Sequence, residues 1–173
     1  MAILALLAVA AAASAAPSFP DPLGPAAVGK VQCFSPDLAR KACAAINAYS
    51  IRADGQIADS ATVIVEKTPL VEVTTVTTAI VANGRVCSVM KKDDLLTTAF
   101  TVNGVAPSDT ELAQLRGAIA NGWAALVDHS VCVSFVPDGS QFVAHTAFDG
   151  LPRPSLDQRV MWVAPQDGWK VAP

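Results

Sequence analysis

The sequence predicts a single α+β domain in which two helices pack on a curved antiparallel sheet of about seven strands, held by two disulfides. Three observations carry that expectation. Val- and Thr-rich runs alternate at period two and stop at Asn-Gly or Asp-Gly pairs. Ser35 and Ser108 each begin a stretch with helix-start chemistry. Four cysteines, Cys33, Cys43, Cys87 and Cys132, follow an apolar leader.

The leader comes first. Every residue from Met1 to Ala15 except Ser14 is apolar, and Ala13-Ser14-Ala15 fits the small-x-small pattern of a signal-peptidase site. Residues 1–15 therefore read as a signal peptide, with cleavage between Ala15 and Ala16. The run falls short of the roughly 20 residues a membrane span needs. It lacks the usual basic start, because the first basic residue is Lys30. Residues 16–30, with prolines at 17, 20, 22 and 25, read as an extended and solvated leader. Residues 31–173 read as the single domain.

Within the domain, Ser35 suits an N-cap, Pro36 the first helical position and Asp37 the positive end of the dipole. Leu38, Ala42, Ala45 and Ile46 share one helical face, so a helix is expected to about Asn47. Asp54-Gly55 marks a turn, after which Val63 and Val65 alternate with polar neighbours. Leu70 to Ala82 reads as a half-solvated strand, with Val71, Val73, Thr75, Thr77, Ala79 and Val81 on one face. Asn83-Gly84 turns it into a strand through Met90, and a further strand spans about Leu95 to Val102. Ser108 and Glu111 form a capping box, and Leu112, Leu115, Ile119, Trp123 and Leu126 recur at helical spacing. Gly117 and Asn121-Gly122 are weak points of that helix. Strands then cover Val131–Val136, Gln141–Phe148 and Gln158–Val163. The segments leading from Cys87 to Phe100 and from Cys132 to Phe148 have a similar order of residues, compatible with a diverged repeat or with chance.

An even cysteine count behind a signal peptide points to two disulfides, and Cys33–Cys43 and Cys87–Cys132 are the expected pairs. There is no C-x-x-C, which argues against a redox motif, and His129 and His145 are too few to build a zinc site with the cysteines. No metal or cofactor is expected. The net charge is −3, and Lys91-Lys92 is offset at once by Asp93-Asp94, so nucleic acid is not an expected partner. No segment after the signal is apolar enough for a membrane span.

Asp128-His129-Ser130 contains the residue types of a hydrolytic triad, but neighbours in sequence cannot align as orienter, base and nucleophile. His129 suits a helix C-terminus instead. His145 lies in a strand with no nucleophile fixed beside it, and Asp93-Asp94 reads as a solvated turn. Trp123 and Trp162 read as core, and Trp169 as an exposed residue or tail anchor. The sequence thus points to an exported, periplasmic or secreted, non-catalytic module that binds a protein, a peptide or an envelope component. A small hydrolase built from dispersed residues and a structural envelope protein are the alternatives. The loosest fold analogy is to cystatin-like helix-on-sheet arrangements, and fold analogy alone says little about function.

Overall fold

Period-two burial governs most of the chain. Val71, Val73, Thr75, Thr77 and Ala79 are buried, whereas Val76, Thr78 and Ile80 between them are exposed. The computed structural model describes residues 19–173, so the signal segment and its Ala15/Ala16 cleavage site lie outside the described residues. The strands are β1 (Val31–Phe34), β2 (Ala42–Cys43), β3 (Ala45–Ile51), β4 (Ile57–Lys67), β5 (Leu70–Ala82) and β6 (Arg85–Val89). They continue as β7 (Ala99–Val102), β8 (Ser130–Asp138), β9 (Gln141–Phe148), β10 (Leu151–Pro152), β11 (Gln158–Val163) and β12 (Lys170–Val171). Two helices, α1 (Lys92–Leu96) and α2 (Asp109–Gly122), interrupt the series.

The expected curved sheet with two packed helices is overturned by the strand order. Strands β1, β3, β4, β5, β6, β8, β9 and β11 pair antiparallel in sequence order, and β11 returns to pair with β1. The result is a closed, eight-stranded, antiparallel barrel, and half of the structure is strand. The analogy to helix-on-sheet folds falls with it. Closure satisfies the backbone groups that an open sheet leaves at its edges. β7 pairs with the first half of β5, β10 extends β9, and β12 pairs with β2 in a small parallel ribbon.

The helix expected over Ser35–Asn47 does not form. Asp37 and Ala42 exchange backbone hydrogen bonds, and Asp37 Oδ1 accepts from the N–H groups of Ala39 and Arg40. The Ser-Pro-Asp signal therefore caps a tight turn, because the same side-chain oxygens that cap helices also bond turn backbone. Ala45, Asn47, Tyr49 and Ile51 then alternate as a strand, paired with Val63, Ala61, Asp59 and Ile57.

The second helix is α2. Ser108 Oγ accepts from Glu111 N–H, and Glu111 Oε2 accepts from Ser108 N–H at 2.9 Å. It runs through Gly117 to Gly122, followed by a 3-10 turn over Ala124–Leu126. The strand expected from Leu95 begins only at Ala99, because Asp94 Oδ2 accepts the Lys91 N–H and starts α1. Asn83-Gly84 and Asn103-Gly104 both take left-handed backbone, the geometry of tight hairpins.

Residues 16–30, expected to be extended and solvated, include a 3-10 helix over Gly24–Val28. Leu23 is completely buried against Ile57, Ala79 and Val86, with Phe19 packed beside it. The leader stops one end of the barrel by turning Leu23, Phe19 and Ala26 inward, while Val28 stays exposed. At the other end α1 and α2 set Leu95 and Ile119 against Val71, Val73 and Phe100.

Cys33–Cys43 and Cys87–Cys132 are both bonded. The first ties β1 to β2 under Val163 and Trp169, so Trp169 anchors the tail. The second joins residues directly opposite each other on β6 and β8. The segments after Cys87 and Cys132 differ in pairing, since β8 forms a hairpin with β9 whereas β7 pairs with β5.

Candidate functional site

The barrel interior is the candidate site, and register stacks its inward residues in layers. On β3, β4 and β5 the first layer is Ala45, Val63 and Val73, and the second is Asn47, Ala61 and Thr75. Tyr49, Asp59 and Thr77 make the third, and Ile51, Ile57 and Ala79 the fourth. β1 and β11 extend the first layer with Phe34 and Val160, and the second with Gln32 and Trp162. Two polar layers thus lie between an apolar end and a plugged end.

The polar layers are knitted by hydrogen bonds. Asn47 Nδ2 donates to Asp59 Oδ1 at 3.0 Å and to Oδ2 at 3.3 Å. Tyr49 donates its hydroxyl to Gln32 Oε1 at 2.9 Å and stacks obliquely on Trp162, ring centroids 6.2 Å apart. Gln32 is 1% exposed, and its Nε2 has no hydrogen-bond partner among the described residues. Asp59 is the one charged residue in the buried set among the described residues. Burial pushes its carboxyl up to about 7, with the Asn47 hydrogen bond acting in the opposite direction. The Tyr49 hydroxyl is pushed well up by burial and by the neighbouring Asp59 charge.

Above these layers the barrel holds a cavity of about 420 Å³. Phe34, Ala45, Ala61, Val63 and Val133 form its wall, and Asn47 and Thr75 supply polar groups at its floor. Its rim includes Trp123 and Leu126 from the end of the α2 segment, with Phe148 and Leu156 opposite. Eight strands make an interior that side chains can fill or that can hold one small ligand. Here, small side chains leave room: Ala45 and Ala61 face the space where larger residues would close it. Cavities of this size, apolar with a few fixed polar groups, suit small-molecule binding.

Comparison with family models, characterised proteins and solved structures finds no match.

The residues singled out in the sequence lie outside the cavity or on its margin. His129 donates Nδ1–H to Asp149 Oδ2 at 2.6 Å, and the other oxygen of Asp149 accepts Ser130 N–H. His145 repeats the arrangement, with Nδ1 2.7 Å from Asp157 Oδ2 and Thr146 N–H bonded to Oδ1. These bonds hold both carboxyls below the usual range, the histidine hydrogen bond being the first cause in each case. Both rings are about half exposed, and no hydroxyl or thiol bonds either ring among the described residues. The Asp128-His129-Ser130 triplet disperses, with Asp128 pairing with Lys91 at 2.9 Å. Asp94 caps α1, and no helix among the described residues is long and apolar enough to cross a membrane.

Gln32, Asn47 and Asp59 carry no motif in the sequence, and Tyr49 stands out there only as an aromatic that could join the tryptophans in a binding surface. Their signal is parity: Asn47 and Tyr49 alternate with Ile46 and Ala48, and Asp59 shares a face with Ile57 and Ala61. A carboxylate on the inward face of a strand marks a site once the inward face is known.

Proposed function

We propose that the chain is an exported, non-catalytic binding protein that carries one small, mainly apolar molecule inside its barrel, in the periplasm or outside the cell. The cavity above the Asn47–Thr75 floor is the observation that carries this reading. The two disulfides suggest an oxidising, extracytoplasmic environment, which fits an exported carrier. Among envelope components, a molecule with an apolar body fits the wall, while a single polar group fits the floor. The half-buried indole of Trp123 at the rim closes over such a body without sealing it.

Fluorescence titration with N-phenyl-1-naphthylamine tests the proposal. The expected result is saturable binding of one probe per chain. Ala61→Phe, which fills the cavity from β4, is expected to weaken binding at least tenfold while the thermal unfolding curve stays cooperative. Probe uptake that does not saturate, or equal affinity in Ala61→Phe, would rule the proposal out.

A further inference from the structure

The floor of the cavity carries information about the head group of its ligand. Asn47 commits Nδ2 to both oxygens of Asp59. Because the amide is planar, its carbonyl oxygen points away from that carboxylate, and it accepts no hydrogen bond among the described residues. Thr75 lies in the same layer, where its hydroxyl can accept or donate. Among the described residues no Lys, Arg or His lines the cavity, and the charged residue immediately below the floor is Asp59, paired with Asn47 rather than with a cation.

Resting on the binding reading above, we infer that the barrel selects amphiphiles whose head donates a hydrogen bond, a hydroxyl or an ammonium, and rejects those ending in a carboxylate. The donor head meets Asn47 Oδ1 and the Thr75 hydroxyl. Asp59 acts through Asn47: it fixes the amide with its acceptor facing the ligand, and its negative charge repels an anionic head across a medium of low dielectric. A carboxylate would be buried with no cation to pair it, the costliest arrangement for a charge in an apolar cavity. An ammonium gains from the same charge, and a hydroxyl gains from the acceptor alone. Burial, which keeps the Asp59 proton to higher pH, places the full repulsion above neutrality.

Three competitors with a ten-carbon chain separate these terms: decanol, decylamine and decanoate, each displacing N-phenyl-1-naphthylamine at pH 8. Decanol and decylamine are expected to displace the probe at concentrations at least tenfold below decanoate. Asp59→Asn should bring decanoate within about threefold of decanol and weaken decylamine. Asn47→Leu, which removes the acceptor and keeps the volume, should weaken decanol about tenfold and leave decanoate unchanged. Either variant suffices for the test should the other fail to fold. Decanoate binding as well as decanol in the wild type, or a gap that persists in every folded variant, would overturn the inference and leave the carrier reading standing. A probe displaced by none of the three would overturn both.

Discussion

The two ends of the barrel are closed by different means. At one end the leader inserts Leu23, completely buried, among Ile57, Ala79 and Val86, with Trp162 and Phe135 around it. At the other, α1 and α2 bury Leu95 and Ile119, while Leu96 of α1 is 61% exposed and Trp123 is half-buried at the cavity rim. A fully packed end resists removal of atoms and admits nothing. A partly covered end gives up less stability when it opens, and the proposed carrier function requires access there. The polar layers of Gln32, Asn47, Tyr49 and Asp59 divide the two.

The dividing layers give the largest expected effect. A carboxyl normally loses its proton near pH 4, whereas burial holds Asp59 up to about 7. Between those values the folded chain keeps a proton the unfolded chain has lost, so this contribution to stability falls as pH rises from about 4 to about 7, then levels. The groups facing Asp59 are Asn47, Tyr49 and Thr77, and the Tyr49 hydroxyl stays protonated throughout that window. The whole fall is about 4 kcal/mol. Asp149, Asp157, Asp37 and Glu111 shift the other way and act at lower pH, where they favour the folded state as they ionise. Urea unfolding with the disulfides intact, at pH 5 and pH 8, should show Asp59→Asn flattening the slope and raising stability at pH 8. An unchanged slope would place the Asp59 carboxylate in contact with water.

Much of this architecture can be read from sequence, and its closure cannot. β5, β9 and β11 keep the bounds expected from period two, because alternation and Asn-Gly or Asp-Gly turns are local signals. The pairing of β1 with β11 joins residues near opposite ends of the described chain, and alternation is the same for an open sheet and a closed one. The Ser35–Asp37 signal was ambiguous, since capping oxygens serve helices and turns alike. That ambiguity also hid the site: a helical reading of residues 35–47 scrambles the parity that turns Asn47 inward. Asp59 sits among Ile57, Ala58 and Ala61, and its burial follows only from the partners on β3 and β5.

At the plugged end, Leu23→Ala removes a completely buried side chain and should cost about 3 kcal/mol. Probe affinity should be unchanged, because the polar layers lie between Leu23 and the cavity. Denaturant titration beside the fluorescence titration checks both halves. Loss of probe binding in a folded Leu23→Ala protein would mean that the plug shapes the cavity.

The lidded end should show the reverse and the smallest change in stability. Trp123 ends α2 with its backbone N–H bonded to Ile119 O at 2.8 Å, a bond that Trp123→Ala retains. Its indole packs partly buried beside the Val71–Phe100 cluster and forms part of the cavity rim. A partly exposed ring has less surface to return to water than a fully buried one, so truncation should cost about 2 kcal/mol, below the 3 or more of a core aromatic. The ligand loses an apolar wall at the mouth, and about tenfold in affinity for N-phenyl-1-naphthylamine is the expected consequence. Stopped-flow kinetics of the probe locate the loss: a contact that holds bound ligand raises the dissociation rate with association unchanged, whereas a contact that guides entry lowers the association rate instead. A Trp123→Ala protein that is destabilised as much as Leu23→Ala, with probe affinity intact, would show that both ends are structural and that access lies elsewhere in the barrel wall.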